Sequence, residues 1–166
     1  HLSAQLAYTD LTANRKIIQK EELERLLRNE VKLQNYVDLA FKQELFKVPA
    51  DEKPEYNGVQ LINSKVIVSY LKQLLRNDLH APFEMVAMEK PVAEKITIQT
   101  GQGPITLRLG GTIDRMDAKD PTLRIVDYKT GGSPKTPANI EQLFTPSETR
   151  PNYIFQTFLY AAIMSR

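Results

Sequence analysis

The sequence predicts an α/β fold, helical in its first half and built on a mostly antiparallel or mixed sheet in its second, from three observations. Apolar residues recur at steps of three and four up to about Asp78, as on the buried face of helices. Beyond His80-Ala81-Pro82 the pattern changes to short alternating segments separated by turn residues, which is how antiparallel strands read. An apolar helical pattern then returns at the end of the chain.

Residues 1–47 are expected to form one or two amphipathic helices, with Leu23, Leu26 and Leu27, then Leu33, Val37, Ala40, Phe41 and Leu45 on the inner face. Val48–Gly58 reads as a loop because Pro49, Pro54 and Gly58 stand among charges. A further helix is predicted over Val59–Asp78, burying Ile67, Leu71, Leu74 and Leu75. The strands are predicted at Phe83–Lys90, Glu94–Gln99, Ile105–Met116 and Leu123–Lys129, the last two joined by a hairpin turn within Asp117–Thr122. A glycine-rich loop, Gly131–Pro137, leads through a turn near Ile140–Phe144 to a last helix that Pro151 opens, since the first helical position needs no amide hydrogen. That helix stops without a capping Gly or Asn, so the chain is read as a fragment of a larger protein. One domain is expected over 1–166, with 1–80 helical and 81–166 carrying the sheet.

Bulk properties limit the chemistry. The chain has 166 residues, 42% hydrophobic and 25% charged, and carries a formal charge of +2, which is compatible with a nucleic-acid partner without implying one. No apolar run approaches the roughly 18 residues of a membrane span, and no leader precedes an apolar core, so no membrane partner and a cytoplasmic location are expected. With no cysteine there is no disulfide framework, no thiolate zinc site and no iron–sulfur cluster. Any metal must sit on oxygen or histidine, which favours hard cations such as magnesium.

The chemistry concentrates in one hairpin, Gly110-Gly111-Thr112-Ile113-Asp114-Arg115-Met116 followed by Leu123-Arg124-Ile125-Val126-Asp127-Tyr128-Lys129-Thr130-Gly131. Strand alternation puts Asp127 and Lys129 on the face of Ile125 and Leu123. A turn centred on Asp120 and Pro121 sets Asp114 opposite Asp127, with Cβ atoms about 5 Å apart. Like charges so placed destabilise a sheet unless a cation or a shared proton offsets them, and magnesium takes such carboxylates together with waters and phosphate. Lys129, one strand step away, can orient or deprotonate an attacking water or neutralise charge in a phosphoryl-transfer transition state. The competing reading is a solvated Asp–Lys pair on an exposed strand; the twin glycines, the acid on each strand and the following glycine loop favour a site.

Gly111-Thr112-Ile113-Asp114-Arg115, then Ile125-Val126-Asp127-Tyr128-Lys129-Thr130-Gly131, then Gln156 with Tyr160, resembles the PD-(D/E)XK nucleases of the RecB and AddB type. The resemblance implies a restriction-endonuclease-like core in which Asp114 and Asp127 bind the metal and Lys129 is catalytic. It also implies a metal-ligating carbonyl on Tyr128, and a Gln156–Tyr160 helix face beside the site that contacts DNA or supports the site. The run His1-Leu2-Ser3-Ala4-Gln5-Leu6-Ala7-Tyr8 resembles the helix on which AddB-like relatives carry a metal-binding His, so His1 is preferred to His80; a tag remnant is the other reading of His1. Glu89 matches the acid that relatives carry on the first strand and is read either as support for a ligand or Lys129, or as an edge-strand charge. Arg108, Arg115 and Lys135 are candidates for phosphate contact, each singly weaker than solvated surface charge.

The function so implied is a magnesium-dependent deoxyribonuclease, with manganese able to substitute, acting as an exonuclease on single-stranded DNA ends in double-strand-break repair and recombination. Because no Gly-x-x-x-x-Gly-Lys-Ser/Thr loop is present, unwinding falls to helicase domains or a helicase subunit as partner. The alternatives are a catalytically silent module for DNA-end binding or subunit docking, and an unrelated interaction domain.

Overall fold

The computed structural model describes residues 1–49, 52, 55–131, 135–147 and 151–165. These fall into two compact units, His1–Val86 with Ala118–Thr122, and Ala87–Asp117 with Leu123–Arg166. Among the described residues there are five α-helices and a four-stranded sheet in the order β1-β2-β3-β4. The α/β class and the helical first half agree with expectation, although residues 1–47 hold three α-helices where one or two were expected.

The first unit holds α1 (Leu2–Leu11), α2 (Lys20–Arg28), α3 (Glu30–Ala40) and α4 (Gly58–Asn77). Side chains start three of these helices. Gln19 and Glu22 form a capping box at α2, the Asn29 side chain accepts from the Lys32 amide at 3.0 Å to open α3, and Asn57 and Gln60 cap α4 reciprocally. Helix α3 runs into a π-helical turn, Phe41–Phe46, that ends on Lys47 in the left-handed region. The core gathers Tyr8, Leu23, Leu26, Leu33, Val37, Leu71 and Leu75. Leu45, expected inside, is exposed, and α4 buries the predicted Leu71 and Leu75 together with Ser64 and Val68, while the predicted Ile67 and Leu74 are half-buried. A hydroxyl is tolerated at the buried position 64 because the Gln34 side-chain amide donates to it at 2.6 Å.

A short strand that periodicity could not reveal, β1 (Ile17–Ile18), pairs antiparallel with the start of β2, Ile18 against Phe83. Two residues are too few to show alternation. Strand β2 (Phe83–Thr100) is continuous where two strands were expected, and it pairs with the 17-residue β3 (Gly103–Lys119). Strand β4 (Thr122–Val126) follows the two-residue connection Asp120-Pro121, tighter than the predicted turn.

The second unit contains most of β2, β3 and β4, a 3-10 turn at Glu141–Leu143, and α5 (Asn152–Met164) with Pro151 as its N-cap. Its apolar cluster is Ile113, Met116 and Tyr160, with Ala87, Val92, Ile125 and Met164 packed against it. The middle of the glycine-rich loop, Gly132 to Pro134, lies outside the described residues.

Candidate active site

Register places the acids. Arg124 Nε meets Asp117 Oδ1 at 2.5 Å, so these two residues stand across from each other on β3 and β4. Three steps along each strand from that pair, Asp114 faces the position of Asp127. The ladder itself stops at Val126, short of the expected strand end at Lys129. Two residues beyond its end, the Tyr128 N–H donates to a side chain, Asp114 Oδ2, at 2.6 Å. A backbone donor bound to a carboxylate makes a strong, charge-assisted bond that fixes both partners.

Asp114 is 7% exposed, and burial pushes its carboxyl above the ordinary carboxylate range. The Tyr128 amide opposes that shift, the negative charge of Asp127 adds to it, and Lys129 opposes it in turn. Lys129 Nζ lies 2.5 Å from Asp127 Oδ2, which holds the ammonium at the loop that β4 feeds. The same ammonium stands 5.3 Å from the ring centroid of Tyr153 on α5, within cation–π range. Sequence reasoning missed Tyr153. Its signal was spacing, since residues 153, 156 and 160 lie on one helix face.

Glu89 supplies a further acid. Its carboxylate and that of Asp114 come within 4.8 Å of each other. Its backbone is left-handed, φ 47°, in the middle of β2, with Pro91 two residues on. A non-glycine residue in that region costs on the order of 1–3 kcal/mol and persists only where neighbours enforce it; such residues cluster at functional sites.

Gln156 and Tyr160 reach β3 from α5. Gln156 Nε2 donates to the Tyr160 hydroxyl at 3.0 Å, and that hydroxyl donates to the Thr112 carbonyl at 2.9 Å, two residues before Asp114. Gly111 permits this approach, because a Cβ there would stand 2.6 Å from the Tyr160 hydroxyl. The pair therefore braces the strand that carries Asp114.

The second unit thus contains Glu89, Asp114, Asp127, Tyr128, Lys129, Gln156 and Tyr160, whereas His1 is the N-cap of α1 in the first. Arg115 is corrected: it is 1% exposed and ion-paired with the fully buried Asp117 at 2.8 Å, so it braces β3 and does not meet phosphate from the surface. Arg108 and Lys135 are exposed.

The family model of the PD-(D/E)XK nuclease superfamily matches residues 1–166. The chain belongs to this superfamily. No curated protein and no solved structure matches it. PD-(D/E)XK proteins are generally metal-dependent nucleases acting on DNA, and the α/β core described above is consistent with their restriction-endonuclease-like fold. The donor chemistry suits a divalent cation: the carboxylate of the half-buried Glu89 lies beside that of the buried Asp114, and two negative charges so close without a counter-ion are unfavourable. Among the described residues no helix of this PD-(D/E)XK chain is long and apolar enough to cross a membrane.

Proposed function

We propose that the chain is a magnesium-dependent deoxyribonuclease that hydrolyses DNA phosphodiesters. The observation that carries the reading is the buried Asp114 carboxylate, pinned by the Tyr128 amide, raised by its surroundings and set beside a second acid, with an Asp127–Lys129 ion pair on the adjoining loop. Asp114, Asp127, the Tyr128 carbonyl and His1 would hold the cation, with Glu89 as a further oxygen donor. When bound, the cation polarises a phosphoryl oxygen and lowers the pKa of water near it.

The chain's own groups do the rest. The Tyr128 amide engages one Asp114 oxygen and so fixes the direction of the carboxylate. Asp127 holds the Lys129 ammonium against rotation, and the Tyr153 ring limits it from another side. A lysine fixed in this way orients the attacking water by hydrogen bonding and neutralises charge that accumulates on the phosphate oxygens in the transition state. Gln156 and Tyr160 keep the Gly111–Asp114 segment in place.

The finer reading is an exonuclease of RecB/AddB type, cutting single-stranded ends in the cytoplasm during double-strand-break repair and recombination, with a helicase domain or subunit delivering the strand. It is supported by the spacing from Gly111 to Tyr160 and by the likeness of the His1 segment to the AddB-like helix. Single-stranded and duplex DNA with labelled ends, incubated with magnesium or manganese, test it. Wild-type cleavage that disappears in Asp127→Ala and Lys129→Ala supports the nuclease reading, and mononucleotide release from single strands supports exonuclease action. Binding without cleavage under every metal indicates the catalytically silent module instead. His1→Ala separates a ligand from a bystander: metal affinity falls only if His1 is a ligand.

A further inference from the structure

The β2–β3 hairpin is much longer than the site requires. From Ala93 to Arg108 it is a two-stranded ribbon whose residues are mostly exposed. Its register follows from Thr97 and Thr106, whose hydroxyl oxygens lie 3.2 Å apart, and from the close approach of Gly110 to Ala93. The same register sets Lys95 directly across from Arg108. Strand alternation sorts the ribbon into two faces. One carries Ile96, Ile98, Ile105 and Leu107, and the other carries Lys95, Thr97, Gln99, Thr106 and Arg108.

Two cations facing each other across a strand pair repel, as two acids do, and an anion between them relieves the repulsion. Among the described residues neither Lys95 nor Arg108 is held in an ion pair. A flanking pair of threonine hydroxyls adds neutral donors, and Thr, Lys and Arg together are the usual set for sugar–phosphate contacts. The direction of β3 connects this face to the acids, because residues 108, 110, 112 and 114 alternate onto one side of the strand. At position 110 there is no side chain between the cations and Asp114, and the Val92 carbonyl and Ala93 occupy the place a Cβ would take. Six residues of extended strand span roughly 20 Å, about six phosphates at B-form spacing and fewer for an extended strand.

We infer that the polar face of the β2–β3 ribbon carries the backbone of the DNA strand being cut, with Lys95 and Arg108 closing on one of its phosphates. This rests on the nuclease reading for the identity of the anion, so binding and cleavage are measured separately. The protein is titrated with a labelled oligothymidylate in chelator, over a series of salt concentrations, for wild type, Lys95→Glu, Arg108→Glu and the double variant Lys95→Thr/Arg108→Thr. Each glutamate replaces a like-charged pair by an opposite-charged one, which favours the hairpin; an unchanged or higher unfolding temperature is expected. Affinity falls several-fold in all three variants, and the slope of log K against log salt becomes shallower by about 0.7 for each phosphate of the single strand that the protein no longer neutralises. Wild-type affinity and slope in the three variants, with cleavage intact, overturn the ribbon assignment alone. A wild-type protein that neither binds nor cuts DNA overturns the nuclease reading and this inference with it.

Discussion

Replacing Gly110 by alanine tests the hairpin on which the site is built. A Cβ at this position would lie 2.2 Å from the Val92 carbonyl oxygen, 2.8 Å from the Ala93 Cα and 2.9 Å from its Cβ. Two opposing effects set the outcome. Alanine in a strand is ordinarily more favourable than glycine by about 0.5–1 kcal/mol. Overpacking costs about 1–3 kcal/mol, and the upper end applies here because backbone atoms cannot swing away as a side-chain tip can. The clash wins, leaving Gly110→Ala destabilised by about 2 kcal/mol, which for a chain of this size lowers the unfolding midpoint by about 4–8 °C. Gly101→Ala, at the ribbon tip with nothing within 4 Å of its Cβ, is the matched control and is expected to match or slightly exceed wild type. Thermal and urea unfolding followed by circular dichroism measure both. If Gly110→Ala proves as stable as Gly101→Ala, the two strands are not in the close register described, and the placement of Lys95 against Arg108 loses one of its two anchors.

Two further predictions concern ion pairs. Asp117 is fully buried and takes Arg115 at 2.8 Å and Arg124 at 2.5 Å, so Asp117→Ala removes a carboxylate shared by two guanidinium groups and is expected to cost about 3–5 kcal/mol in urea unfolding; a loss below about 1 kcal/mol refutes the pairing. Asp10 joins α1 to α3, accepting from Lys32 at 2.6 Å and from the Tyr36 hydroxyl at 2.7 Å, and these partners, Lys32 first, hold its carboxyl below the ordinary value of 3.8. A carboxyl lowered by folding stabilises above its unfolded pKa and loses that contribution as the pH falls through the folded one. Wild type should therefore exceed Asp10→Asn in stability by a constant margin near neutrality, a margin that shrinks below about pH 4; a margin that does not change with pH contradicts the assignment.

Much of this architecture was legible in the sequence because it depends on local rules. The helices announced themselves by spacing, and the β3–β4 register by a turn centred on Asp120 and Pro121, which sets Asp114 across from Asp127. What was hidden depends on distant partners. Phe83–Lys90 and Glu94–Gln99 read as two strands, yet β2 runs through both, and Glu89 within it takes a left-handed backbone that no local propensity would choose. Arg115 read as surface charge because arginine is seldom fully buried; only the fold reveals the buried Asp117 beside it. Ser64 displaced an apolar residue from the face of α4 for the same kind of reason, a hydrogen-bond partner thirty residues earlier in the chain. Glu89 was visible as an acid on the first long strand, and its proximity to Asp114 is set by the fold.

The bond from the Tyr128 amide to Asp114 has a consequence for how variants of this site are to be interpreted. Where the strand ladder ends, the carboxylate takes over from a backbone carbonyl as the partner of the chain. The segment from Asp127 to Lys129 is thus positioned by the very group it is meant to assist, and Asp114 is at once an oxygen donor and a piece of the scaffold. Losses measured at residues 114, 127 and 129 are then shares of one cooperative unit, and their sum will exceed what the unit contributes as a whole.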